Sequence, residues 1–236
     1  MDSAFENLPL KLDDRLAAVA DQIKSTTHVD IGSDHGSLLA TLLNKGRIKF
    51  GIAVENKQRP FDNSVRALAG LPAEVRLGDG LNPIEIGEAD SLSICGMGAE
   101  SIRDILLAHP DRIPDRVILQ VFHKPELVRG WAIENDFHLI HESVTRGKRC
   151  YTILTFGRSE NPQASDPAYE DVDRESALLF GPFVLKRQDR QFDIQLQDEE
   201  AWWRKFDRLS DSRTERLKLL RRMMADRGIE PLPGDA

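Results

Sequence analysis
Phe137-His-Leu-Ile-His-Glu-Ser-Val144, Thr145-Arg-Gly-Lys-Arg149 and Cys150-Tyr-Thr-Ile-Leu-Thr-Phe156 form the stretch on which the fold turns. The outer two runs are rich in β-branched and aromatic residues and read as strands. The five residues between them are too few for a parallel crossover, so the two runs are expected to form an antiparallel hairpin. Upstream the rhythm is different. Strand-like runs at His28 to Ile31, Phe50 to Val54, Val75 to Leu77, Ser91 to Cys95 and Val117 to Val121 alternate with helical patterns. The helices are expected through Leu12, Leu16, Val19 and Ile23, then over Ser37 to Asn44, Arg59 to Gly70, Glu100 to Ala108 and Pro125 to Asn135. Steady alternation of this kind argues for a parallel, doubly wound α/β sheet, here closed by a terminal antiparallel hairpin.

Beyond the hairpin the polar stretch Gly157 to Pro167 reads as a linker. After it, Gly181-Pro182 interrupts a helical run. Phe192, Leu196, Trp203 and Phe206, then Leu217, Leu220 and Met224, fall at helical spacings and predict two short antiparallel helices. The expected division is a ligand-binding α/β unit over 1–160 and a linker with a small α-helical appendage over 161–236.

The chain has 236 residues, 40% hydrophobic and 30% charged, which suits a soluble globular protein. It holds no apolar run near the roughly 18 residues a membrane span needs. Met1 to Lys11 lacks the apolar core of a secretory signal. Two cysteines, Cys95 and Cys150, cannot build a disulfide framework, and a cytoplasmic location is expected. The net charge of −7 is unevenly spread: from Lys186 onward there are 12 Lys and Arg against 11 Asp and Glu, and before it 20 against 28. An acidic body argues against indiscriminate nucleic-acid coating, but not against one local basic face.

The first strand runs into Asp30-Ile-Gly-Ser-Asp34-His-Gly36. The first strand-to-helix turn of a doubly wound sheet is a ligand site on general grounds. Its glycines are four apart, so the dinucleotide pattern GxGxxG is not met. Asp30 and Asp34 would repel a pyrophosphate and suit a ligand carrying positive charge. S-adenosylmethionine is such a ligand, with a sulfonium, an ammonium and no phosphate. Glu55 ends the second strand 19 residues after Gly36, an interval at which an acidic residue grips ribose hydroxyls. Asp79-Gly80 follows the third strand, where an adenine is commonly met, and Cys95-Gly-Met-Gly98 follows the fourth, where glycines let backbone approach a ligand. His138 and His141 are three apart on one strand, so they are expected on opposite faces, and no metal site is expected. No serine-centred nucleophile elbow is present.

A parallel sheet closed by a terminal hairpin resembles the Rossmann-like class I methyltransferases. The ordered set of motifs is more specific. Leu12-Asp-Asp-Arg15-Leu16, Asp30-Ile-Gly-Ser-Asp-His-Gly36, Ile52-Ala-Val-Glu55, Gly78-Asp-Gly-Leu81, Gly87-Glu-Ala-Asp90, Cys95-Gly-Met-Gly98, Leu119-Gln120, Lys148-Arg-Cys-Tyr151 and Gly181-Pro-Phe183 together resemble the bacterial tRNA (adenine-22-N1)-methyltransferases, the TrmK family. The sequence departs from that pattern at Arg59 and Ala99, where the family commonly has glycine. It departs again at Val121-Phe122, where the family commonly has Pro-Asn, and in an abbreviated helical tail.

The resemblance implies methyl transfer from S-adenosylmethionine to N1 of an adenine in the D-arm of tRNA, with Asp34 as the catalytic carboxylate. The donor would be held by Asp30, Gly32, Ser33, His35, Gly36, Glu55, Asn56, Asp79, Gly80, Cys95, Gly96, Met97 and Gly98. Arg15, Arg103, Lys124, Arg146 and Lys148, with Arg129 and Arg149, are the candidate tRNA contacts. Two other readings stay open: the same chemistry on another RNA, a protein or a small molecule, and a non-catalytic RNA-binding module.

Overall fold
Val29, Ile31, Ile52, Val54, Leu92, Ile94, Val117 and Leu119 are all at most 3% exposed, as strands covered on both faces must be. They belong to β1 (Thr27–Ile31), β2 (Phe50–Glu55), β4 (Ser91–Met97) and β5 (Arg116–Val121), joined by β3 (Ala73–Leu77), β6 (Phe137–Arg146) and β7 (Cys150–Arg158). The computed structural model describes residues 12–33, 35–147, 150–161, 164–187, 190–206, 208 and 210–233. Its seven strands stand in the order β3-β2-β1-β4-β5-β7-β6. The first five strands are parallel, and β7 runs antiparallel to both β5 and β6. The sheet thus ends in the hairpin that its short connection requires.

One face of the sheet packs Val29, Ile52, Leu92, Leu119 and Leu154 against Ile102 and Leu106 of α4 (Ala99–Ala108) and Val128 and Trp131 of α5 (Pro125–Glu134). The other face packs Ala53, Ile118 and Ile153 against Val19 and Ile23, and Leu38, Leu39 and Leu42. These come from α1 (Asp14–Gln22), its end and α2 (Ser37–Asn44). Asp13 caps α1, accepting the Leu16 N–H at 2.8 Å. α3 (Gln58–Ala67) lies beside β2 and β3.

The second face also carries a row of buried polar residues, among them His28, Asp30, Ser91, Ser93 and Gln120. β1 and β4 are neighbours, with the chain winding outward on either side of them. This is a topological switch point, and a crevice opens beyond the carboxyl ends of such strands.

One expectation about β6 is corrected. The register of β6 against β7 shifts between Leu139 and His141, so His138 stands opposite Gly157 and His141 opposite Thr155. Ile140 is the extra residue, and the bulge turns both histidines to the same face. Among the described residues no cluster of metal-ligating side chains is found there or elsewhere.

The tail forms α6 (Arg174–Phe180), α7 (Pro182–Lys186), α8 (Arg190–Trp203) and α9 (Asp211–Asp226). The expected break falls at Gly181, whose φ is +108°. Phe180, Val184, Phe192, Leu196, Leu220 and Met224 make a third apolar cluster, which also takes in Val144 of β6. Ion pairs Asp193–Arg227, Glu200–Arg221 and Glu199–Arg216 run in opposite chain directions along α8 and α9, which fixes them as antiparallel. Among the described residues no helix is long and apolar enough to cross a membrane.

Candidate active site
The crevice at the switch point is built from chain turns that need glycine. Gly32 sits at φ +73° with its N–H on the Val54 carbonyl at 2.8 Å, and a Cβ there would lie 2.5 Å from Cε of Met97. Gly36, at φ +65°, starts α2, and a Cβ on it would press on Ala67, Leu68 and Ser64 at 3.3 Å. Gly80, at φ +54°, backs onto Ile105. Gly96, at φ +74°, lies in a register shift of β4 between Cys95 and Met97. These positive φ values favour glycine, and at Gly32, Gly36 and Gly80 packing by neighbouring side chains leaves no space for a Cβ.

Three of the expected site carboxylates are placed. Glu55 ends β2 only 4% exposed, with the Ser64 hydroxyl 3.5 Å from its Oε1. Asp79 is exposed in the turn after β3. Asp30 is buried beneath the first turn, and burial pushes its carboxyl up to about 6, opposed by the Ser93 hydroxyl and the Arg15 charge. Asp34 lies outside the described residues, as do Lys148 and Arg149.

Behind Asp30 runs a buried chain of hydrogen bonds. The Ser93 hydroxyl donates to Asp30 Oδ1 at 2.5 Å, so Ser93 must accept from His28 Nε2 at 2.9 Å. His28 Nδ1 then accepts from Ser91 at 2.7 Å, and Ser91 from Ser25 at 2.8 Å. Burial lowers the His28 pKa to about 3, so the ring is neutral, as this donor pattern demands.

Arg15 reaches from α1 across the sheet. Its Nη1 donates to Gln120 Oε1 at 2.7 Å, and the same oxygen accepts the Gly96 N–H at 3.0 Å. Its guanidinium stands 5.8 Å from the Tyr151 ring centroid, and Tyr151 is 5.9 Å from Phe122. The guanidinium is therefore turned into the protein. Cys95 belongs to the core beside this network; burial, then the Asp30 charge, raises its thiol pKa, so it is not a thiolate nucleophile.

His35 is exposed beside Asn63, and Asn56 is exposed after β2. Ser33 is half-buried. Met97 and Gly98 flank the start of α4, where a Cβ on Gly98 would meet the His123 ring.

The basic candidates are scattered. Lys124 pairs with Glu100 at 2.5 Å, Arg103 stands 4.0 Å from Asp104, and Arg146 is exposed at the hairpin tip. Arg129 is 1% exposed, held by Glu142 at 2.7 Å and by the Leu178 and Leu179 carbonyls, so it is a core residue rather than an RNA contact.

His28 and Ser93 are not legible as site residues in the sequence, nor do Gln120 and Tyr151 have a role there, whereas Val121-Phe122 falls where the fifth strand opens toward the substrate. A histidine or glutamine inside an otherwise apolar strand is the available signal, since such a group is buried only with partners. The partners themselves lie 63 and 105 residues away along the chain.

Acidic groups at the ends of β1 and β2 suit a positively charged, phosphate-free nucleoside. Fold and crevice together define a class I, S-adenosylmethionine-dependent methyltransferase. The sequence model described as TrmK, tRNA (adenine(22)-N(1))-methyltransferase, matches residues 28–227. The tRNA (adenine(22)-N(1))-methyltransferase of Bacillus subtilis (strain 168) is 31% identical over 230 residues, 92% of this chain and 94% of the relative. The crystal structure of the B. subtilis m1A22 tRNA methyltransferase TrmK superposes with a TM-score of 0.78 at 29% identity, covering 93% of this chain and 99% of that one. Streptococcus pneumoniae Sp1610, in complex with S-adenosyl-L-methionine, gives a TM-score of 0.76 at 25% identity over 91% of this chain and 100% of that one. The chain belongs to the TrmK family.

Proposed function
We propose that this protein methylates N1 of adenine 22 in the D-arm of tRNA. The observation that carries the reading is the carboxylate-bearing glycine crevice at the switch point, in a chain whose family match spans residues 28–227. Adenine N1 has an in-plane lone pair, so no strong base is needed to make a nucleophile. Bound in the crevice, S-adenosylmethionine supplies an electrophilic methyl on a sulfonium. N1 forms the new C–N bond as the methyl–sulfur bond breaks, and positive charge passes to the purine ring. What remains for the protein is to extract the base, aim N1 in line and stabilise that charge.

In this reading Glu55 accepts the ribose hydroxyls and Asp79-Gly80 borders the donor adenine. Gly32, Ser33, His35, Gly36, Asn56, Cys95, Gly96, Met97 and Gly98 complete the donor wall. Asp30 holds its negative charge beneath the first turn. Asp34 is the carboxylate assigned to the acceptor's exocyclic amine. Arg103, Lys124, Arg146 and Lys148 contact phosphates, and Arg15 orders the acceptor side of the crevice. Residues 1–160 form the methyl-transfer unit and 161–236 the linker and helical unit. The enzyme works in the cytoplasm with its tRNA.

The test is nucleoside mass spectrometry of tRNA incubated with enzyme and donor. 1-Methyladenosine is expected with adenine at position 22 and not with guanine there; a methyl on any other nucleoside, or on none, sinks the assignment. Asp34→Ala is expected to fold and to lose methylation, and near-normal turnover by that variant would remove Asp34 from its role.

A further inference from the structure
Phe122 is an anomaly at the end of β5. The five residues before it, from Val117 to Val121, are all buried, yet this ring is 36% exposed at the carboxyl edge of the sheet. Its backbone is fixed, for its N–H donates to the Met97 carbonyl at 3.1 Å. Its Cζ would lie 3.8 Å from a Cβ on Gly96. The Met97 side chain meanwhile reaches the first turn, with Cε 2.5 Å from the place of a Gly32 Cβ. One residue therefore joins the donor turn to Phe122.

The second ring is Tyr151, the half-buried second residue of β7, 5.9 Å from Phe122 at an interplanar angle of 49°. Arg15 stands over Tyr151, itself held by Gln120. The Gln120 amide cannot be reversed, because both of its oxygen's partners, Arg15 Nη1 and Gly96 N, are donors. The site is thus two aromatic rings at the mouth of the crevice, backed by a pinned guanidinium.

We propose that Phe122 and Tyr151 form the seat of the acceptor base, a stacking platform for a purine turned out of its helix. This rests on the adenine-methylating reading above and adds to it where the base lies. Enzymes that modify a base within a helix take it out of the stack, and the lost stacking must be replaced by protein surface. Aromatic side chains supply this for any base. Charge adds a second reason. The ring is neutral before transfer and cationic after it, and a cation is drawn to an aromatic face. The Tyr151 face already carries the Arg15 guanidinium, so this task falls to the Phe122 ring, which holds the methylated purine, and the transition state leading to it, more tightly than the substrate. Its effect falls on turnover as well as on binding.

The experiment uses the full-length protein with Phe122→Leu and Phe122→Trp. Leucine keeps the apolar contact with Tyr151 and removes the π-face; tryptophan restores one. Formation of 1-methyladenosine in tRNA is followed to give kcat and KM, and donor affinity and melting temperature are measured beside it. Phe122→Leu is expected to lower kcat/KM by roughly 10- to 100-fold, with kcat falling, while donor affinity and melting temperature hold. Phe122→Trp is expected to recover most of that loss. A leucine variant within about twofold of the wild type overturns the platform. So does a loss matched by weaker donor binding, which would place Phe122 in the donor pocket, or a tryptophan variant no better than leucine. If the wild type itself makes no 1-methyladenosine, the adenine reading falls and the platform falls with it; if only the leucine result fails, the adenine reading stands.

Discussion
Asp30 is a carboxyl whose folded pKa, about 6, lies above its ordinary value of 3.8 because it is buried. It binds its proton more tightly folded than unfolded. The wild type therefore gains stability relative to Asp30→Asn as pH falls through 6 toward 3.8, and loses it as pH rises again. The difference between wild type and Asp30→Asn is expected to swing by about 2 kcal/mol between pH 7.5 and pH 4. Urea titrations of both proteins at the two pH values measure it; a difference independent of pH would contradict the burial. Gly32→Ala is expected to weaken donor binding by tenfold or more, at about 1–2 kcal/mol of backbone strain. Moving the Met97 methyl aside relieves the contact but not the positive φ. Calorimetry with S-adenosylmethionine is the check.

Between elements, Glu142 on β6 does two things at once. It neutralises Arg129 of α5, which also donates to the Leu178 and Leu179 carbonyls at the end of α6. Its second oxygen accepts the Phe183 N–H at 3.1 Å at the start of α7. A Cβ on Gly181, between those helices, would collide with the Glu142 carboxylate. Glu142→Ala strands a buried guanidinium, and a loss of about 3–5 kcal/mol is expected in denaturant unfolding. The double change Arg129→Met with Glu142→Leu is expected to lose less than Glu142→Ala alone, because no charge is left unpaired. A larger loss in the double variant would show that the carbonyl caps outweigh the ion pair.

For the molecule as a whole, the tail packs on α5 and β6, and an ion pair ties its last helix to α5. Arg216 of α9 reaches Glu126 of α5 at 3.0 Å and Glu199 of α8 at 2.5 Å. Arg216→Met is expected to lower the melting temperature by several degrees while donor affinity holds, since the crevice lies at the strand ends. The net charge of −7 means that tRNA must be met by a local face. Affinity is expected to fall steeply with salt, and Arg146→Ala to reduce the log–log slope by about one. A slope unchanged in that variant would remove the hairpin tip from the contact.

Alternating apolar runs, five residues between Val144 and Cys150, and glycines at 32, 36 and 96 determine the sheet, its hairpin and the glycine turns at the carboxyl ends of its strands from the sequence by itself. Each is a local signal: strand periodicity, a loop too short to cross over, a backbone that must take positive φ. The hydrogen-bond chain from Ser25 to Asp30, the inward turn of Arg15 onto Gln120, the burial of Arg129 and the shared face of His138 and His141 were decided only by the tertiary structure. Those depend on which strands become neighbours and on one bulge. A polar side chain's role is set by partners that sequence distance conceals.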